Sequence, residues 1–187
     1  MSEERVILGI DPGTNIMGYG LIVERNIGHA EMLALGVLEL NKFDDHYTRL
    51  KIIFDRTISL IEQYHPTELA IEAPFYGKNV QSMLKLGRAQ GTAIAAALSR
   101  SLAIYEYAPR KIKLAITGQG NASKEQVALL LQRMFKIAKM PTNLDATDGL
   151  AAAVCHFYQK KPQADATTTH VAKSWKEFIA NNPKRIK

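Results

Sequence analysis

Apolar positions along the chain change period several times, and the changes mark out its elements. Val6-Ile7-Leu8-Gly9-Ile10 is an unbroken apolar run that stops at Asp11-Pro12-Gly13, the pattern of a buried strand ending in a turn. Residues 18–23 and 30–40 read as two further strands, completing an antiparallel meander. Leu50, Ile53, Phe54, Ile58 and Ile61 have helical spacing across residues 46–64, and Pro66 stops that helix. Leu69-Ala70-Ile71 is a short buried strand that delivers Glu72 at its end. Residues 79–100, rich in Ala and Leu, predict a helix, and residues 103–107 a fifth strand. Ser123 and Gln126 have capping-box spacing and open a helix to about Ile137. Pro141-Thr142-Asn143 breaks it, and a last core helix runs from about Asp145 to Tyr158.

Three leading strands followed by helix, strand, helix and strand imply an α/β fold, a mixed five-stranded sheet flanked by helices. Residues 1–159 are expected to form one domain. Beyond it, Lys160-Lys161-Pro162 and Ala166-Thr167-Thr168-Thr169 have linker composition. Val171, Trp175, Phe178 and Ile179 then line one face of a short amphipathic helix. Residues 160–187 thus form a basic C-terminal tail, with seven Lys/Arg against two acids. Packing on its own domain, docking a partner and touching nucleic acid all remain open for it.

Composition narrows the class. The chain has 187 residues, 47% of them hydrophobic, enough for one domain with a real core. Its longest apolar stretch, residues 93–98, is far short of the roughly 20 residues that cross a bilayer. Met1-Ser2-Glu3-Glu4-Arg5 lacks the apolar centre of a signal peptide. Cys155 is the single cysteine, which excludes an internal disulfide and Cys-x-x-Cys motifs. A cytoplasmic protein with no membrane association is expected.

Charge changes the picture more. Residues 1–72 carry six basic against twelve acidic side chains, whereas residues 73–140 carry eleven against two. A basic centre beside an acidic flank fits a polyanion lying across one face, although such faces are also commonly just solvated.

Four acids stand out against this background. Asp11 ends the first strand, and Asp-Pro-Gly is by itself an ordinary turn. Glu72 finishes an apolar strand, where a carboxylate needs a cation or a donor. Asp145 and Asp148 are three apart at a helix start, so they share a face; capping and the helix dipole explain either alone. Adjacent ends of strands one and four, with the last helix against them, bring all four into one cleft. Crowded carboxylates repel unless cations neutralise them, and all-oxygen ligation suits a hard cation such as Mg²⁺. Two metals roughly 3.5–4 Å apart can activate a water and stabilise a leaving oxygen in phosphodiester hydrolysis.

Five motifs in order resemble the RuvC family of Holliday-junction resolvases over residues 7–156. They are Gly9-Ile10-Asp11-Pro12-Gly13-Thr14 with Gly18-Tyr19-Gly20; Ala70-Ile71-Glu72; Lys78-Asn79 with residues 84–91; Tyr107-Ala108-Pro109-Arg110; and Asp145-Ala146-Thr147-Asp148-Gly149-Leu150-Ala151. The resemblance implies an RNase H-like fold, a homodimer, and Mg²⁺ (two per subunit) or Mn²⁺ as cofactor. It implies paired nicks in four-way junction DNA that leave 5′-phosphate and 3′-hydroxyl ends, in recombination and repair. It assigns Asp11, Glu72, Asp145 and Asp148 as catalytic metal ligands, and it implies a branch-migration helicase complex of the RuvA and RuvB type as partner. The chain departs from the family at Ala73-Pro74, where many members carry Gln and an aliphatic residue, and at Asp145, where some carry His.

DNA contacts are expected from Phe75, Tyr76, Lys78, Lys85, Arg88, Lys113 and Lys124. Phe75 matches the family's wedge aromatic, and base stacking on such a ring contributes ~1–3 kcal/mol; for Tyr76, stacking and burial stay equally open. Lys85 and Arg88 share a helical face, and Lys113 and Lys124 match family positions implicated in phosphate contact and activity. Two other classes compete. Asp-x-Gly-Thr also opens actin-like ATPases and sugar kinases, but those need a second phosphate loop and a longer chain, and no Walker-type loop is present here. A noncatalytic DNA-binding module leaves four acids beside a polyanion without purpose.

Overall fold

Alternating side-chain directions along a single strand organise this molecule. In the computed structural model, which describes residues 4–26, 28–74, 79–139 and 141–159, β1 (Val6–Asp11) is the central strand. Leu8 and Ile10 point into one core, and Ile7 into another on the opposite face. Both faces are therefore covered, which is why β1 reads as continuously apolar.

The sheet order is β3-β2-β1-β4-β5. β2 (Ile16–Asn26) and β3 (His29–Glu39) form the antiparallel meander; β4 (Glu68–Glu72) and β5 (Ala103–Tyr107) add parallel to β1 on its other side. This is the mixed five-stranded sheet expected from the sequence. α1 (His46–Tyr64) and α2 (Val80–Leu98) cover one face, burying Ile53, Leu60, Ala89 and Ala93 against Leu8, Ile10, Leu69 and Ile71. Asp45 caps α1 by accepting from the Thr48 amide, and His65 in a left-handed conformation closes it just before Pro66.

The other face carries α3 (Pro109–Thr117), α4 (Lys124–Phe135) and α5 (Asp145–Tyr158). The Ser123–Gln126 capping box opens α4 as the sequence indicates, although the helix ends at Phe135 rather than near Ile137. α3 is a helix that the sequence pattern does not predict. It buries only Ile112 fully, so its apolar periodicity is too thin to read, but Pro109 in its first turn and Gly118 after its end are helix boundary signals.

α5 lies unusually close to the sheet because glycines remove the side chains that would hold it off. A Cβ on Gly9 would come within 2.1 Å of the Gly149 carbonyl oxygen, and one on Gly18 within 1.8 Å of the Asp145 carbonyl oxygen. The far end of α5 is pinned by buried polar groups: the Tyr107 hydroxyl lies 2.5 Å from His156 Nδ1, and His156 Nε2 lies 2.9 Å from Glu68, which also pairs with Arg5. Among the described residues, no helix is long and apolar enough to cross a membrane.

Candidate active site

The period of two that builds the sheet also aims its acids. Asp11 shares the face of Ile7 and Gly9, and Glu72 the face of Ala70, so both carboxylates emerge on the α5 side. β1 and β4 run parallel and pair up to Ile10 with Ile71, which sets Asp11 and Glu72 side by side one residue further on. On its other side Asp11 pairs with Gly18, over which the start of α5 lies. Asp145 and Asp148, in the first turn of α5, are thereby delivered to Asp11.

One carboxylate oxygen from each of Asp11, Asp145 and Asp148 falls within 4.8 Å of the others. Glu72 stands outside that tight group but lines the same cleft as Asp11 and Asp148. Capping does not occupy the two α5 acids: the Asp145 amide donates to Asn143 Oδ1, while their carboxylates accept from Lys124 Nζ at 2.9 and 2.6 Å.

Burial and crowding leave the cluster strained electrostatically. Burial, then repulsion from Glu72 and Asp148, holds the Asp11 carboxyl well above its ordinary range. Burial, reinforced by Asp148, pushes Glu72 up to about 7. Burial also raises Asp148, against the bond from Lys124. Burial would lower the Lys124 ammonium, but its bonds to Asp148 and Asp145 outweigh it, so the charged form is favoured. The clustered ligand atoms are all carboxylate oxygens on half-buried residues, a set that fits a hard divalent cation.

The cleft, about 390 Å³, is also lined by three basic residues, Arg110 and Lys113 of α3 and Lys124 of α4. Arg110 carries no expectation from the sequence. It stands in the first turn of α3, and its side chain packs so closely on Gly120 that a Cβ there would meet Arg110 Cγ at 2.6 Å. The motif Tyr107-Ala108-Pro109-Arg110 contains it, but without α3 nothing in the sequence aims it at the acids. Lys85 and Arg88 are exposed on α2. Phe75, Tyr76 and Lys78 lie outside the described residues, as does the tail from residue 160.

Comparison with known proteins agrees with this geometry. The family described as crossover junction endodeoxyribonuclease RuvC matches residues 7–156. A protein of that name from Christiangramia forsetii is 60% identical over 190 residues, covering 100% of this chain and 95% of its own length. One from Bacteroides fragilis is also 60% identical, over 99% of this chain and 97% of itself. The Thermus thermophilus RuvC structure superposes with a TM-score of 0.73 at 29% identity, covering 82% of this chain and 94% of its own. The same protein in complex with Holliday junction substrate gives 0.75 at 28% identity, over 81% and 92%. With its RNase H-like sheet, its clustered acids and a match over most of its length, this chain belongs to the RuvC family.

Proposed function

We propose that the chain is a structure-selective endodeoxyribonuclease that resolves four-way (Holliday) junctions in recombination and repair, leaving 5′-phosphate and 3′-hydroxyl ends. The observation that carries this reading is the cluster of Asp11, Asp145 and Asp148 at a cleft that Asp11, Asp148 and Glu72 line together with Arg110 and Lys113. Carboxylates alone repel a phosphodiester; beside a cation and basic side chains they hold one.

In this reading Asp11, Glu72, Asp145 and Asp148 hold two Mg²⁺, with Mn²⁺ able to substitute. Bound cations supply an activated water and stabilise the leaving oxygen. The chain's own part is positional. Strand ends fix Asp11 and Glu72, the α5 turn fixes the other two, and Lys124 bridges Asp145 and Asp148. Lys113, half-buried in the cleft wall, orients the phosphate, while Lys85, Arg88 and Lys78 track the backbone further out and Phe75 and Tyr76 meet unstacked bases at the exchange point.

We further assign residues 1–159 as the nuclease domain and 160–187 as an appended basic tail, in a cytoplasmic homodimer that works with a RuvA- and RuvB-type helicase. Two equivalent sites suit a junction with two equivalent scissile phosphates. The test is direct. Purified protein incubated with a synthetic four-way junction and Mg²⁺ should give symmetric, ligatable nicks, and none with EDTA. Cutting that persists in EDTA, or that ignores branching, overturns the assignment.

A further inference from the structure

Gln90 is a buried polar side chain to which neither the cation site nor the DNA track gives a role. It sits on α2, 8% exposed, next to Ala89 and one turn from Ala93 in the core beneath the sheet. Its side-chain amide donates to the main-chain carbonyl of Glu72 at 3.3 Å and to Glu106 Oε2 at 3.1 Å. Both partners are acceptors, so the NH₂ group must face them, and its two hydrogens serve one each.

The place matters. Glu72 is the last residue of β4, and the amide that follows it, Ala73 N–H, donates to the Tyr107 carbonyl at 2.9 Å. The Glu72 peptide is therefore gripped by β5 in the plane of the sheet and by α2 from beneath. Its carboxylate leaves on the opposite face, toward α5. A carboxylate's position follows its own main chain, and a strand's terminal residue has the fewest ladder bonds to hold it.

We propose that Gln90 is a positioning residue, fixing the main chain of Glu72 from behind the sheet so that its carboxylate is held in the cleft. The proposal rests on reading Glu72 as a cation ligand. The position needs a donor to two acceptors: Leu fills the volume but donates nothing, and Glu sets a third acceptor against two others.

The test compares wild type with Q90L, Q90E/E106Q and E72Q at a temperature below every variant's Tm. Four quantities are read: single-turnover cleavage at saturating junction, junction Kd in EDTA, Mn²⁺ binding to DNA-free protein by calorimetry, and Tm. Q90L is expected to slow cleavage about tenfold and weaken Mn²⁺ binding severalfold, with junction Kd unchanged. In Q90E/E106Q the amide introduced at 106 donates back to the carboxylate introduced at 90. The tie to β5 is kept and stability recovers, but the donor to the Glu72 carbonyl is gone, so cleavage stays slow. Wild-type cleavage and Mn²⁺ affinity in either variant overturn the proposal. E72Q separates the two readings: if E72Q cuts normally, the assignment of Glu72 fails, whereas an inert E72Q beside a normal Q90L defeats Gln90 alone.

Discussion

Asp11 and Glu72 are carboxylates that folding alone works against. Burial raises both, reinforced at Asp11 by Glu72 and Asp148 and at Glu72 by Asp148, so their ionised forms destabilise the cation-free protein. For Glu72 the sign follows from linkage. Its folded value, about 7, lies above its ordinary 4.5, so the native state binds the extra proton and stability falls as pH rises between these values. In EDTA, E72Q should therefore match the wild-type Tm near pH 4.5 and exceed it increasingly up to about pH 7, then level off. D11N should likewise raise the Tm at neutral pH, abolish cleavage and leave junction binding intact. Thermal melts against pH, with cleavage and gel-shift assays on the same variants, check both; a loss of stability at pH 7 means these acids hold the fold together instead.

Lys113 belongs to the same scale. It lines the cleft and its charge lowers both Glu72 and Asp148, yet its side chain is only half-buried. If it meets a phosphate, K113A should weaken junction binding and reduce the slope of log K against log salt by about one. An unchanged slope removes it from the interface.

At the scale of elements, the contact between α5 and the sheet decides the site. Gly149 abuts Tyr19, where a Cβ would come within 2.5 Å of the Tyr19 Cα, a main-chain atom that cannot swing aside. G149A should cost roughly 1–3 kcal/mol or more and displace Asp145 and Asp148 from Asp11, so cleavage should fall further than Tm alone explains. Gly91 of α2 is the control: a Cβ there meets nothing within 4 Å, so G91A should be neutral or stabilising by up to about 1 kcal/mol. Equal effects on Tm from the two changes would contradict the packing argument. The same contact shows what the sequence does and does not carry. Strand and helix periods expose β1, β4 and α5, and acids that interrupt them are visible as interruptions. That β4 lands beside β1 after a helix, and that Gly9 and Gly18 in the sheet and Gly149 in α5 are small so that the helix can lie close, is a tertiary fact with no local signal. α3 is short and buries a single residue fully, too little pattern to read and so too little to place Arg110, and nothing local ties Lys124 to Asp145 and Asp148.

On the scale of the whole molecule, one cleft cuts one strand, and resolving a junction takes two cuts. The centre of the chain carries eleven basic against two acidic residues across 73–140, the balance expected of a DNA-facing surface, but each copy carries one cluster of acids among the described residues. Two copies must act together if the nicks are paired. That requirement can be read out by poisoning. If the chain works as the proposed homodimer, mixing wild type with increasing D11N should produce mixed pairs with one working site. On a supercoiled plasmid that extrudes a cruciform, a wild-type pair makes both cuts within the lifetime of one complex and yields linear DNA. A mixed pair makes one cut, and that nick relaxes the plasmid and removes the junction before a second can follow. Nicked circles should therefore rise through a maximum as D11N is added, while linear product falls faster than the wild-type fraction. If linear product instead falls in simple proportion, with no nicked circles accumulating, the two cuts come from copies acting independently and the paired-site architecture is wrong.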